Sequence, residues 1–347
     1  MRIKPWAAMA AAVPLAAGCV AAPQAAAPAP AAGGTPASSE KVSVPAPGAA
    51  ATPSARPPRV PAGTTAAWVV FDRRQRAIVA HRNAHRRYRS ASVVKILIAI
   101  DHLESHRTVP AADARLLRIM LRSSDDDAAT SLWSRNGKGA IIVRTARRLG
   151  LSDTAPPPAT HPGFWGYTSL SAYDIVRTYR YLLDRAAPRV RDTILGHLRK
   201  ATPCGTDGFD QTFGIPRAVP RPWAVKQGWS GFGAVPTIRC RPAGQAGPAV
   251  PAGPAVEGSA IPGAPIPDGS AVVGAPISGG SISLVARRAA GTGVPDYGRP
   301  VLHTTGLAGG DDRFVIAVLT AHPAGGTWNA SVRRITQLTA ALYRNAS

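Results

Sequence analysis

Ser92 stands at the head of an apolar run, Val93–Ile100, that carries a single charge, Lys95. A run of this kind reads as a helix bound for the core, and the rest of the chain has to pack around it. On a helix, three residues bring the Ser92 hydroxyl and the Lys95 amine to one face, close enough to share a proton. A serine hydroxyl is a weak nucleophile until a neighbouring base takes its proton, and a buried, deprotonated lysine can do that. Ser-x-x-Lys also arises by chance on surface helices, so its meaning depends on the motifs that accompany it further along the chain.

The 347 residues suffice for one large domain or two smaller ones, but the first stretch does not belong to a core. Arg2 and Lys4 form a short basic start, Trp6–Ala17 is apolar, and Ala16-Ala17-Gly18-Cys19 places small residues before a cysteine. That layout over residues 1–18 is expected to be a bacterial export signal, too short for a membrane span. Small residues before Cys19 resemble a lipobox, with Leu15 one position earlier than usual, so Cys19 is the expected lipidation site. The alternative is an ordinary cleaved signal in which Cys19 is incidental. From residue 19 to about Gly63 the chain is Ala/Pro/Gly/Thr/Ser-rich and nearly without large apolar residues, which describes a tether and not a domain. The expected location is the outer face of the cell membrane, with the lipid at Cys19 as the only membrane contact, or secretion. Export also permits a disulfide between Cys204 and Cys240, with two unpaired thiols as the alternative.

The formal charge is +22, and only six of the 41 basic residues are lysines. Arginine, alanine, proline and glycine bias of this kind accompanies a GC-rich genome; the functional reading is attraction to anionic lipid heads or wall polymers. Nucleic acid is not an expected partner for an exported chain without a binding module.

Ala66–Phe71 and Arg76–His81 read as a hairpin across the turn Asp72-Arg73-Arg74-Gln75. Helices are expected from Ser92 to about Ser105, over Ala111–Leu121, from Asp125-Asp126-Asp127 to about Trp133, over Ala140–Leu149 before Gly150, and over Ser171–Ala186. Leu151–Tyr167 is a loop. Trp223–Gly228 reads as a strand, and the segment 241–280, with 17 of its 40 residues Gly or Pro, reads as an insertion. Pro300–Thr305 and Phe314–Thr320 are strands around the turn Gly309–Asp312, and Val332–Asn345 closes the chain as a helix. Strands, then a helical block, then strands and a final helix imply an α+β domain over residues 64–347 whose sheet both chain ends complete.

Two short motifs come after Ser92-x-x-Lys95 in order: Ser124-Asp125-Asp126 at a helix start and Lys226-Gln227-Gly228 on a late strand. Together they resemble the Ser-x-x-Lys, Ser-Asp-Asn and Lys-Thr-Gly triplet of class A β-lactamases and penicillin-binding proteins. Tyr88-Arg89-Ser90-Ala91-Ser92 after a hairpin, and Ala128-Ala129 after the second motif, extend the resemblance. It implies an antiparallel sheet of about five strands flanked by helices, with an all-helical subdomain. Ser92 would be the acylated nucleophile and Lys95 its base or proton relay. Ser124 would protonate the departing nitrogen, and Lys226 would supply positive charge near the substrate carboxylate. The N–H groups of Ser92 and Trp229 would form an oxyanion hole, with Asp126, Gln227, Gly228 and Trp229 lining the substrate. The implied substrates are β-lactams or D-Ala-D-Ala-like peptidoglycan peptides, with no cofactor, and the protein is expected to be a monomer.

Two departures limit the resemblance. Asp126 replaces an asparagine; an ionised carboxylate cannot donate to a substrate carbonyl, and it can pair with Lys95 and weaken that base. A register one residue earlier, Ser123-Ser124-Asp125, is the alternative, and the alanine pair favours Ser124. The chain has only three glutamates, Glu40, Glu104 and Glu257, and none lies between the second and third motifs. The family's deacylating glutamate is therefore missing, and Asp153 is the substitute that the loop offers. Deacylation is expected to be slow, or the chain to be a fold-retaining wall protein without turnover. Trp133, Trp165 and Tyr179 read as packing residues. The eight histidines show no metal-ligand spacing, and a helix cap outweighs a calcium site at Asp125–Asp127.

Overall fold

The computed structural model describes residues 58–161, 163–241 and 298–347. The signal-like start, Cys19, most of the tether and all but the first residue of the 241–280 insertion lie outside them.

Five strands form an antiparallel sheet: β1 (Thr65–Asp72), β2 (Ala77–Arg82), β5 (Trp223–Ser230), β6 (Val301–Ala308) and β7 (Phe314–Ala321), in the order β2-β1-β7-β6-β5. A two-stranded ladder pairs β3 (Tyr88–Arg89) with β4 (Ser169–Leu170). The central strands read as nearly unbroken apolar runs because both faces of the sheet are covered. Along β1, Ala67, Val69 and Phe71 enter the core shared with the helical block, while Ala66, Trp68 and Val70 enter a second core under the closing helix. Successive side chains of a strand point to opposite faces, so one strand feeds both cores.

The helices are α1 (Lys95–Ser105), α2 (Ala111–Arg122), α3 (Asp126–Arg135), α4 (Gly139–Leu149), α5 (Ala172–Asp184), α6 (Pro188–Arg199), the short α7 (Ile215–Ala218) and α8 (Trp328–Ala346). Their ends follow local chemistry. Asp125 Oδ1 accepts from the Ala128 N–H at 2.7 Å to cap α3, the Ser171 hydroxyl caps α5, and left-handed Gly150 ends α4. Helix α1 is buried from Lys95 to Leu103, with α2, α3, α4 and α6 packed around it. The fold is α+β: a five-stranded antiparallel sheet with flanking helices and a helical subdomain.

Several boundaries differ from the sequence reading. Ser92 does not open an α-helix; it sits in a 3-10 turn, Ala91–Val94, and α1 starts only at Lys95. Ser92 and Lys95 therefore lie on two differently wound segments. Helix α8 begins four residues earlier than Val332 because Thr327 caps it, accepting from the Ala330 N–H. Helix α6 has no counterpart in the sequence reading. Its signals are Pro188 in the first turn and buried Val190, Ile194, Leu195 and Leu198.

In the structure Cys204 and Cys240 form a disulfide across 36 residues of sequence. It ties the loop before α7 to the chain beyond β5, and the Cys240 N–H donates to the Gly208 carbonyl at 2.8 Å. Replacing both cysteines by alanine is expected to lower stability by about 2–4 kcal/mol, through the entropy of the longer unclosed loop in the unfolded chain. Urea unfolding of wild type and double variant checks this; equal midpoints would show the bond to be dispensable.

Candidate active site

Three elements meet at the junction of sheet and helical block: the 3-10 turn with the start of α1, the α2–α3 connection, and the edge strand β5. The approach of β5 is so close that a Cβ on Gly228 would lie 2.9 Å from Val93 Cγ2 and 3.0 Å from the Ser90 carbonyl oxygen. Only glycine fits there. The edge of β5 not paired with β6 therefore runs along the turn that carries Ser92.

Lys95 is fully buried. Its Nζ donates to the Ser124 carbonyl at 2.6 Å and to Asp126 Oδ1 at 2.6 Å, with Ser124 Oγ at 3.4 Å. The Trp165 ring centroid lies 4.6 Å from the same nitrogen. Lys226, also buried, donates to Ser124 Oγ at 2.9 Å and to the Gln227 carbonyl at 2.9 Å. Ser124 Oγ thus lies between two lysines. Ser92 is buried, and its Oγ makes no hydrogen bond to a described residue, Lys95 included.

Burial pulls Lys95 below the usual lysine range, against the opposing pull of the Asp126 carboxylate. Lys226 is pushed down much further, by burial first and by the neighbouring Lys95 charge second. Two lysines sharing one hydroxyl make a site in which one amine readily gives up its proton. Two non-glycine residues adopt left-handed backbone here, Ala91 at φ 45° next to Ser92, and Ser124 at φ 56°. Such strain persists only where surrounding structure imposes it, and it gathers at functional sites.

Comparison with solved structures identifies the fold. The chain is similar to PBP-A, at 13% identity and TM-score 0.52 over 82% of this chain and 90% of that one. It is similar also to a class A β-lactamase from Mycobacterium abscessus, at 15% identity and TM-score 0.52 over 81% and 94%. The chain has the class A β-lactamase fold. Its curated relatives, named "Putative lipoprotein LppW" in Mycobacterium tuberculosis and in Mycobacterium bovis, are 41% identical over 175 residues. The matched stretch is 48% of this chain and 54% of theirs, so the chain spans about half the length of these relatives. No protein-family model matches the chain.

Within the class A β-lactamase fold, the residues singled out by sequence fall into two groups. Lys95, Ser124, Asp126 and Lys226 are joined directly, with Ser92, Gly228 and Trp229 beside them. Gln227 faces away from the lysines, donating through Nε2 to the Phe213 carbonyl. Asp153 also stands apart: its Oδ2 accepts from Ser171 Oγ at 2.8 Å and lies 2.8 Å from His85 Nδ1. No hydrogen bond among the described residues connects it to Ser92, Lys95 or Ser124. Among the described residues, no three His, Cys, Asp or Glu side chains group as metal ligands.

Two residues of the site escaped the sequence reading. Trp165 is more than packing: its Nε1–H donates to Thr130 Oγ1 at 3.1 Å and its ring covers the Lys95 amine. Asp207, raised by burial, accepts the Trp229 indole N–H at 2.8 Å and lies within electrostatic reach of Lys95 and Lys226. No motif flags Asp207. Only the disulfide loop brings it to β5.

Proposed function

We propose that the protein is a lipid-anchored, extracytoplasmic active-site serine hydrolase that is acylated at Ser92 by β-lactams or D-Ala-D-Ala-like peptides and released slowly. The observation that carries the reading is the buried chain Lys95–Ser124–Lys226 beside Ser92, which directly follows the left-handed Ala91. Ser92 Oγ attacks the carbonyl carbon as its proton passes to the neutral Lys95 amine. The N–H groups of Ser92 and Trp229 hold the charge on the carbonyl oxygen. The carbonyl–nitrogen bond then breaks, the nitrogen takes the Ser124 hydroxyl proton, and Lys95 returns the proton it received to Ser124 Oγ. The ester at Ser92 remains, and Asp153, engaged by Ser171 and His85, does not supply a base for its hydrolysis. A mutant of the similar PBP-A is known as an acyl-enzyme complex with penicillin G. The lipoprotein name of the mycobacterial relatives supports the anchor at Cys19. The +22 charge suits a surface of anionic lipids or wall polymers.

A second reading is a binding protein without turnover. It is favoured by the Lys95 amine, which is committed to Asp126 and Ser124 and makes no hydrogen bond to Ser92. One experiment separates the readings: incubate the purified protein and Ser92→Ala with a chromogenic cephalosporin, following colour and intact mass. A lasting adduct on wild type alone is the expected result. Fast colour with a transient adduct makes the protein an efficient lactamase. Absence of both, with every β-lactam tried, removes the β-lactam reading.

A further inference from the structure

Asp126 uses only half of its carboxylate. Oδ1 takes the Lys95 hydrogen bond at 2.6 Å, Oδ2 takes none from a described residue, and the side chain is 66% exposed. The buried amine and the exposed carboxylate make Asp126 a solvent-facing anionic acceptor beside the site. Trp165 and Asp126 meet the same amine, with the ring centroid 4.6 Å and Asp126 Oδ1 2.6 Å from Lys95 Nζ. The Thr130 hydroxyl that holds the indole lies four residues along α3 from Asp126, on the same helix face. A carboxylate with an indole ring beside it is the pairing that recognises ammonium groups, and Lys95 Nζ already occupies its inner side. An ionised carboxylate accepts hydrogen bonds and donates none, so a neutral carbonyl is repelled there while a cationic amine is attracted.

We propose that Asp126 Oδ2 and Trp165 form an ammonium subsite, so that the substrate this cleft prefers carries a cationic amine close to its reactive carbonyl. The proposal deepens the acylation reading and rests on it for reactivity, but amine recognition can be measured without acylation. Benzylpenicillin and its α-amino derivative ampicillin differ by that one group. Their dissociation constants for the full-length Ser92→Ala protein are measured by calorimetry at pH 6.5, below the ordinary α-amino pKa of about 7.7–8.0. Ampicillin is expected to bind roughly tenfold more tightly, the combined scale of a half-exposed ion pair and a cation–π contact. The ratio is expected to fall to about one when Asp126→Asn is added to Ser92→Ala, and also in the unchanged Ser92→Ala protein at pH 9.5, where the amine is neutral. Using a ratio cancels the effect of the substitution on Lys95. Equal affinities, no binding of either compound, or a ratio that survives both Asp126→Asn and pH 9.5 overturns the subsite. A retained preference in Ser92→Ala with neither adduct nor turnover on wild type sinks the acylation reading and leaves the subsite standing.

Discussion

Asp126→Asn is expected to speed acylation of Ser92 by benzylpenicillin roughly tenfold or more at neutral pH, because the carboxylate that favours the charged Lys95 amine is gone. Lys95 acts as a base only when neutral. Burial lowers its proton affinity, while the carboxylate 2.6 Å away raises it again. Asparagine keeps the shape and removes the charge. The neutral fraction of Lys95 then rises, and part of the gain is lost because a less basic amine is a weaker proton acceptor. The sign is fixed by the direction of the change. The acid limb of the acylation rate against pH moves to lower pH in the variant, because the base that must be deprotonated now loses its proton earlier. Stopped-flow or quenched intact-mass kinetics between pH 5 and 9 read both quantities. An unmoved limb with an unchanged rate would mean that Asp126 is no brake on this lysine.

The same pair of residues marks how far the sequence could be read. Periodicity found the strands and most helices, because Val69 and Trp68 report the two faces of one strand and Leu97–Leu103 report a buried helix. Three spaced motifs were enough to nominate Lys95, Ser124 and Lys226, and to raise the pairing of Asp126 with Lys95. What spacing could not supply is winding and long-range closure. The 3-10 turn at Ser92 depends on Gly228 pressing against Val93 from a strand more than a hundred residues away. Asp207 enters the site through a loop shaped by the Cys204–Cys240 bond and by the Thr206 N–H donating to the Ser123 carbonyl at 2.9 Å. Trp165 lies in a loop whose sequence carries no period at all, and its role comes only from where Thr130 holds it. Local pattern fixes which faces are apolar, and tertiary contacts decide which polar atoms meet.

Acid should unfold the protein through two buried histidines behind the site. Burial pushes His303 from the usual 6.5 down to about 4, and His322 down to about 3, with Arg334, His303 and Arg299 adding to the second. His303 lies opposite Gly228 in the sheet. Its Nε2 lies 2.9 Å from the Arg89 carbonyl oxygen, and its Nδ1 lies 2.8 Å from the Leu302 carbonyl oxygen and 3.3 Å from the Thr320 nitrogen. Neutral rings are part of the folded state, so their contribution is complete above pH 6.5 and is lost as pH falls through about 4 and then about 3. For His303, the change from 6.5 to about 4 corresponds to on the order of 3 kcal/mol, at about 1.4 kcal/mol per factor of ten in proton affinity, and for His322 to somewhat more. Asp72 acts with the same sign: burial alone would raise it, but Arg313 and the N–H groups of Gln75 and Arg74 hold it low. Asp174 and Asp207, raised by burial, pull the other way and blunt the slope. Urea unfolding at pH 7, 5.5, 4.5 and 3.5 is expected to show stability dropping by several kcal/mol below pH 5.5, and His322→Gln is expected to flatten that drop whatever it does to stability at pH 7. A slope identical in wild type and variant would place the acid sensitivity in the carboxylates instead. A histidine charged opposite Gly228 would also disturb Arg89, three residues before Ser92, so acylation should fail in acid before the fold does.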